Sequence, residues 1–191
     1  MTRTTATDSQ SLQAIYTRPG FIIRRAHQIV AALFDEAAID LGITTTQYSV
    51  LYALRVRPGI DQISLCALIG VDRSTVASVV RLLEDGGLVA RRADPNDRRR
   101  KQLTLTDAGQ DMLRRAEPIT HVISDSMRTV LSDDQIMALK DILGAFVSAF
   151  NDKVRNPLVP DDVADRSPPP VKISKPKAAA KKRSAVETKV R

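Results

Sequence analysis

VDRSTVASVVRLLEDGG, residues 71–87, runs directly into LVARR (88–92), ADPNDRRRK (93–101) and QLTLT (102–106). In the first of these segments Val76, Val79, Val80 and Leu83 recur at the i, i+3, i+4, i+7 spacing of one apolar helical stripe, so this side faces a core. Asp72 stands where an N-cap belongs, leaving the helix N-terminus open to a phosphate. The other side carries Arg73, Ser74, Thr75, Ser78 and Arg81, with small Ala77 among them. Such a face is slim enough for a major groove and holds hydrogen-bonding groups for base edges and phosphates. Taken alone, it suits an ordinary solvated helix equally well.

The neighbouring residues shift that balance. Upstream, Ile63, Cys66, Ala67 and Ile69 predict a short helix ended by Gly70, the residue that tolerates positive φ where a chain leaves a helix. Two short helices joined by a tight turn make a helix-turn-helix whose second member reads the groove. Downstream, Leu88 and Val89 open a strand, and Leu103 and Leu105 alternate with Gln102, Thr104 and Thr106 in the next. The connection between them is polar and turn-rich, so the pair reads as a wing. Six Lys or Arg lie from Arg91 to Lys101 against Asp94 and Asp97. A basic run of this kind is commonly a solvated turn, but beside a groove-shaped helix its guanidinium groups suit phosphates or a narrow minor groove.

Asp97-Arg98-Arg99, five further residues, then Leu105-Thr106 fits the D-x-R-x5-L-T wing signature, and VDRSTVASVVRLLEDGGLV resembles the recognition helix, of the MarR family of winged-helix transcriptional regulators. The similarity in element order extends from about Pro19 to Phe150. It implies a mainly α fold with a small β-hairpin wing, flanked by N- and C-terminal dimerisation helices. It further implies a homodimer on a palindromic operator of double-stranded DNA, with repression commonly relieved by a small ligand. By position, Arg99 is the wing arginine placed at the minor groove and Asp97 the acid that braces the wing; Arg98 and Lys101 complete the basic tip.

On this basis residues 1–17 form an N-terminal arm, 43–106 the winged helix-turn-helix, 18–42 with 107–155 the helical dimerisation region, and 156–191 a disordered basic tail. In the last long helix Ile136, Leu139, Leu143, Phe146 and Phe150 are spaced 3, 4, 3, 4, and Ser132 with Gln135 forms a capping box. A seam of two heptads also suits packing within one chain. Yet Ile22, Ala26, Ile29 and Leu33 of the first long helix add a second apolar surface, too much for a small winged domain to cover. Pairing both helices across a two-fold axis covers them and sets two recognition helices about 34 Å apart. A long helix from Asp107 to about Leu131, bent or broken near Pro118, links wing and interface.

Charge is unevenly distributed. Of the formal +7, residues 172–191 supply eight Lys or Arg against Glu187, while residues 1–171 hold 21 of each sign. DNA affinity in the body therefore rests on local clustering. Six of the ten prolines lie from Pro157 onward, and the tail has little to bury. It is read either as an added sequence-independent DNA contact or as a solvating segment. With no apolar run long enough to span a bilayer, no signal-like N-terminus and one cysteine, the expected setting is cytoplasmic, with no membrane partner and no disulfide.

An effector of this family is expected where dimerisation helices meet the winged domain. Tyr16, Arg18, Phe21, Arg24, Arg25 and His27, with Tyr48 and Tyr52, would line that junction and suit an anionic aromatic acid or its coenzyme A thioester. Aromatics at helical spacing are equally the mark of a core, and arginines at a helix start of a solvated face. Cys66, on the same apolar side as Ile63 and Ile69 and without a cationic neighbour, reads as an inert buried thiol. Two distant histidines, no metal-ligand spacing and no phosphate-cradling glycine loop argue against an enzyme and against a cofactor. The competing readings are an architectural DNA-binding protein dominated by its basic tail and a winged-helix module used for protein contacts.

Overall fold

The computed structural model describes residues 12–93 and 100–159. In chain order these form α1 (Leu12–Tyr16), α2 (Pro19–Ala37), α3 (Thr45–Val56), β1 (Ile60–Asp61), α4 (Gln62–Ile69), α5 (Arg73–Asp85), β2 (Val89–Ala93), β3 (Lys101–Leu105), α6 (Asp107–Arg128) and α7 (Asp133–Phe150). The result is a mainly helical winged helix-turn-helix with long helices at either end. Part of the expected N-terminal arm is α1, whose Tyr16 ring meets Phe21 of α2 at 5.3 Å.

Local capping explains most helix starts. Thr44 and Gln47 form a reciprocal capping box on α3, and Ser132 with Gln135 does the same on α7. Asp61 caps α4 and Asp72 caps α5. Gly70 ends α4 at φ +65, and the chain bends 112° into α5, within the usual helix-turn-helix range.

The sheet is antiparallel in the order β1-β3-β2, with Val89 opposite Leu105 and Ala93 opposite Lys101. Only the hairpin was legible beforehand; β1 adds two residues, Ile60 opposite Leu103. Thr106 does two things at the hairpin's end. Its hydroxyl accepts from the Gly109 N–H, capping α6, and donates to the Gly87 carbonyl at 2.7 Å. A side chain at Gly109 would collide with the Leu88 carbonyl oxygen, so only glycine lets α6 approach the strand this closely.

Two buried clusters result. Val50, Leu51, Leu54, Leu65, Cys66, Val76, Val80, Leu83, Val89, Leu103 and Leu113 form the winged core. Phe34, Ala38, Ile43, Ala116 and Ile119 join α2 to α6. Tyr48 and Met112 pack against both, and α6 serves each through Leu113 on one side and Ala116 and Ile119 on the other.

Three expectations need correction. Helix α6 is unbroken at Pro118 and ends at Arg128; Pro118 is exposed, and neighbouring Ala116 and Ile119 hold this stretch in the buried α2–α6 contact. Ile63 is 56% exposed, so Cys66 shares its buried side with Leu65 instead. The expected tail boundary at residue 156 also moves, because Asn156–Val159 dock on the helix-turn-helix. The Val159 N–H donates to the Ala67 carbonyl at 2.9 Å.

Candidate nucleic-acid interface

The apolar stripe of α5 lies in the core as its spacing requires: Val76, Val80 and Leu83 are buried. Arg73, Ser74, Thr75, Ala77, Ser78 and Arg81 are all exposed. From Arg73 to Arg81 the outward face is therefore made of small, polar or cationic side chains, with Leu82 exposed just beyond them. Among the described residues Arg81 pairs with Asp85, 3.9 Å away and likewise exposed, a weak restraint in water.

The N-terminus of α5 is less open than its sequence suggests. The Asp72 carboxylate accepts from the N–H groups of Ser74 and Thr75 and from both their hydroxyls, at 2.5 to 3.1 Å. These bonds, led by the two hydroxyls, hold its pKa far below the usual carboxylate range. A phosphate thus finds those two donors occupied, correcting the expectation of a free helix terminus. Ser78 donates to the Ser74 carbonyl at 3.0 Å. Ser74, Thr75 and Ser78 consequently present hydroxyl oxygens whose protons point back into the protein, orienting their lone pairs outward as acceptors.

The basic run divides by task. Arg91 grips Glu84 of α5 through two bonds of 2.9 and 2.8 Å, fixing β2 to the back of the recognition helix. Arg100 meets Asp61 at 2.6 Å, tying the base of β3 to the cap of α4. Burial by itself would raise the Asp61 pKa. Hydrogen bonds from the Ser64 N–H, Arg100 and the Ser64 hydroxyl outweigh it and hold the carboxyl below its ordinary value. Arg92 and Lys101 are exposed at the strand ends. Asp97, Arg98 and Arg99 lie outside the described residues.

This constellation decides the family, because residues 41–100 match the MarR family and the geometry of reader helix and hairpin accords with it. The chain belongs to the MarR family of transcriptional regulators. The HTH-type transcriptional repressor NicR of Pseudomonas putida is 31% identical over 121 residues, 63% of this chain and 77% of that protein. The repressor CouR, solved bound to a 23-mer DNA duplex, matches at 28% identity and TM-score 0.67 over 72% of this chain and 97% of its own. CouR from Rhodococcus jostii bound to p-coumaroyl-CoA matches at 27% identity and TM-score 0.61, covering 70% and 94%. PcaV of Streptomyces coelicolor, solved with its natural ligand, matches at 33% identity and TM-score 0.63, covering 71% and 95%.

Within this MarR-family chain the residues expected at an effector site fall into two groups. Tyr16 and Phe21 meet in a tilted pair near the start of α2, with the Arg24 guanidinium 4.9 Å from the Phe21 ring. Arg18, Arg25 and His27 are exposed on the same stretch, and Arg25 reaches Gln28 at 3.4 Å. The second group, Tyr48 and Tyr52 of α3, packs beside Phe34 of α2, which lies thirteen residues, or about 20 Å of helical rise, beyond Phe21. There Tyr48 sits between Phe34 at 5.7 Å and Tyr52 at 6.1 Å. Burial pushes the Tyr48 pKa up against the pull of nearby Arg55. Arg55, which the sequence reading missed, lies 4.8 Å from the Tyr52 ring and pairs with Glu117 at 3.4 Å. A cleft of about 360 Å³ adjoins it, lined by Leu54, Arg55, Pro58, Thr104, Gln110 and Arg114 among others.

The helices expected to pair between copies show apolar faces left uncovered among the described residues. Ile22 and Ile29 of α2 are 53% and 50% exposed, and Phe146 and Phe150 of α7 are 51% and 50%. Leu143 is exposed, while Ile136 and Leu139 are half-buried. Cys66 is buried, and burial raises its thiol pKa despite the Arg73 charge nearby. That cation is a neighbour the sequence did not reveal, but the thiol stays protonated and unreactive.

Proposed function

We propose that this protein is a ligand-responsive repressor that binds a palindromic operator as a homodimer and is released by an anionic aromatic effector or its coenzyme A thioester. The observation that carries the reading is the exposed face from Arg73 to Arg81, braced from behind by Arg91–Glu84 and flanked by a wing tied down through Arg100–Asp61. Ser74, Thr75 and Ser78 serve as oriented acceptors on base edges, Arg73 and Arg81 as phosphate or guanine contacts, and Asp97, Arg98, Arg99 and Lys101 as the wing.

The uncovered faces of α2 and α7 support dimerisation through Ile22, Ile29, Ile136, Leu139, Leu143, Phe146 and Phe150. Large apolar side chains left half in water favour association. The aromatic and arginine groups on α2 and α3 support an aromatic anion, and Tyr48, packed against both buried clusters, is placed to convey its binding from α2 to the winged core. Relatives bound to DNA and to p-coumaroyl-CoA agree with this reading.

Selection from a random duplex library tests it. Recovery of an inverted-repeat sequence, bound far more tightly than random duplex and released by an aromatic acid or its thioester, is the expected result. Uniform binding of every sequence would instead favour an architectural role. An effector must also bind the free dimer more tightly than the DNA complex, by the factor with which it weakens DNA binding.

A further inference from the structure

We propose that residues 151–159 anchor the C-terminal extension on the helix-turn-helix turn, so that the Lys and Arg of 172–191 bind phosphates of the same duplex just outside the operator. The proposal rests on the DNA-binding reading above. After α7 the chain folds back on itself: the Asn151 side chain accepts from the Leu158 N–H and donates to the Leu158 carbonyl, each at 2.8 Å. That clasp presents the next contacts to the turn between α4 and α5. Leu158 lies where a side chain on Gly70 would touch it, at 3.4 Å. The Asn156 amide either donates to the Val71 carbonyl at 3.3 Å or, with oxygen and nitrogen exchanged, accepts from the Asp72 N–H at 3.3 Å. Val159 closes the arrangement on the Ala67 carbonyl.

Recognition helices contact base edges with their N-terminal residues, and Asp72 is the N-cap of α5. The chain therefore leaves the described fold beside the end of the helix that meets DNA. Twelve residues lie between Val159 and Lys172, thirteen Cα steps that bound their separation to about 45 Å, little more than one turn of duplex. Asp161, Asp162 and Asp165, against Arg166, disfavour phosphate contact by the intervening stretch. Beyond it come eight cations and one acid, a net charge sufficient to displace several condensed counterions per chain.

The test uses the duplex recovered by selection, trimmed to the shortest form that keeps sequence preference, and the same duplex with about ten base pairs added at each end. Full-length protein should gain about tenfold or more in affinity from the added flanks at about 50 mM salt, and the gain should vanish near 200 mM. A full-length variant with the eight cations of 172–191 replaced by Gln should lose the gain and keep its sequence preference. Asn156→Ala with Leu158→Ser, which leaves every cation in place, should reduce the gain severalfold. A neutralised tail that gains as much as the natural one overturns the proposal, and an undiminished gain in the anchor variant overturns the anchoring. Failure to enrich any sequence would instead refute the DNA-binding reading beneath it.

Discussion

The face of α5 and the faces of α2 and α7 are both open to solvent, yet they are built oppositely. From Arg73 to Arg81 of α5 the exposed side chains are small, polar or cationic, with Leu82 and Asp85 exposed only beyond them, and the nearby carboxylates are engaged: Asp72 by hydroxyls and amides, Glu84 by Arg91, Asp61 by Arg100. On α2 and α7 the exposed side chains include Ile, Leu and Phe that nothing among the described residues covers. Exposure alone thus says little, while its chemistry names the missing partner: a hydrated polyanion for one face, a second apolar surface for the other.

The largest effect should come from breaking the apolar side. Leu143→Asp with Phe146→Asp should abolish the dimer in sedimentation while circular dichroism stays unchanged, because neither residue is buried. Operator affinity should then fall by about a hundredfold or more, since linked half-sites are lost. A monomer that keeps full affinity would erase the contrast between the faces.

Next, Arg99→Ala should weaken operator binding by about tenfold to a hundredfold in a titration against the selected duplex, with no change in thermal midpoint. Arg100→Ala removes a brace, not a DNA contact; a loss of severalfold is expected, accompanied by lower stability. Equal and large effects of both on affinity alone would place Arg100 on the DNA.

A smaller effect concerns Asp61. Its carboxyl titrates below the ordinary range in the folded protein, so its contribution is present above the unfolded value near 4 and is lost as pH falls. The urea midpoint of Asp61→Asn should lie below that of the natural protein at pH 6, and the gap should close towards pH 3. The least effect should be Arg91→Ala, about 1 kcal/mol in stability for a half-exposed pair, measured by denaturant unfolding.

Residues close in sequence carried much of this in readable form. The stripe Val76–Leu83, the caps at Asp72 and Ser132, and the stop at Gly70 follow from helical period and local hydrogen bonding. The signature ending Leu105-Thr106 has a physical basis too: Thr106 joins the cap of α6 to the Gly87 turn. Contacts across long stretches of chain left no such mark. Nothing periodic ties Asp61 to Arg100, Arg55 to Glu117, or Asn156 to Val71. Pro118 misled for a related reason, since the sequence shows the lost hydrogen bond but not the tertiary packing around it.

Sequence by itself determined the apolar stripe of α5, the caps at Asp72 and Ser132, the stop at Gly70, and that a groove-shaped helix precedes a basic hairpin. Only the tertiary structure decided which cations serve as braces, that the expected effector residues form two groups, one at the start of α2 and one on α3 beside Phe34, and that the chain after α7 returns to the recognition turn. Spacing encodes faces because neighbours share one helix, whereas partners far apart in the chain are chosen by how whole elements pack.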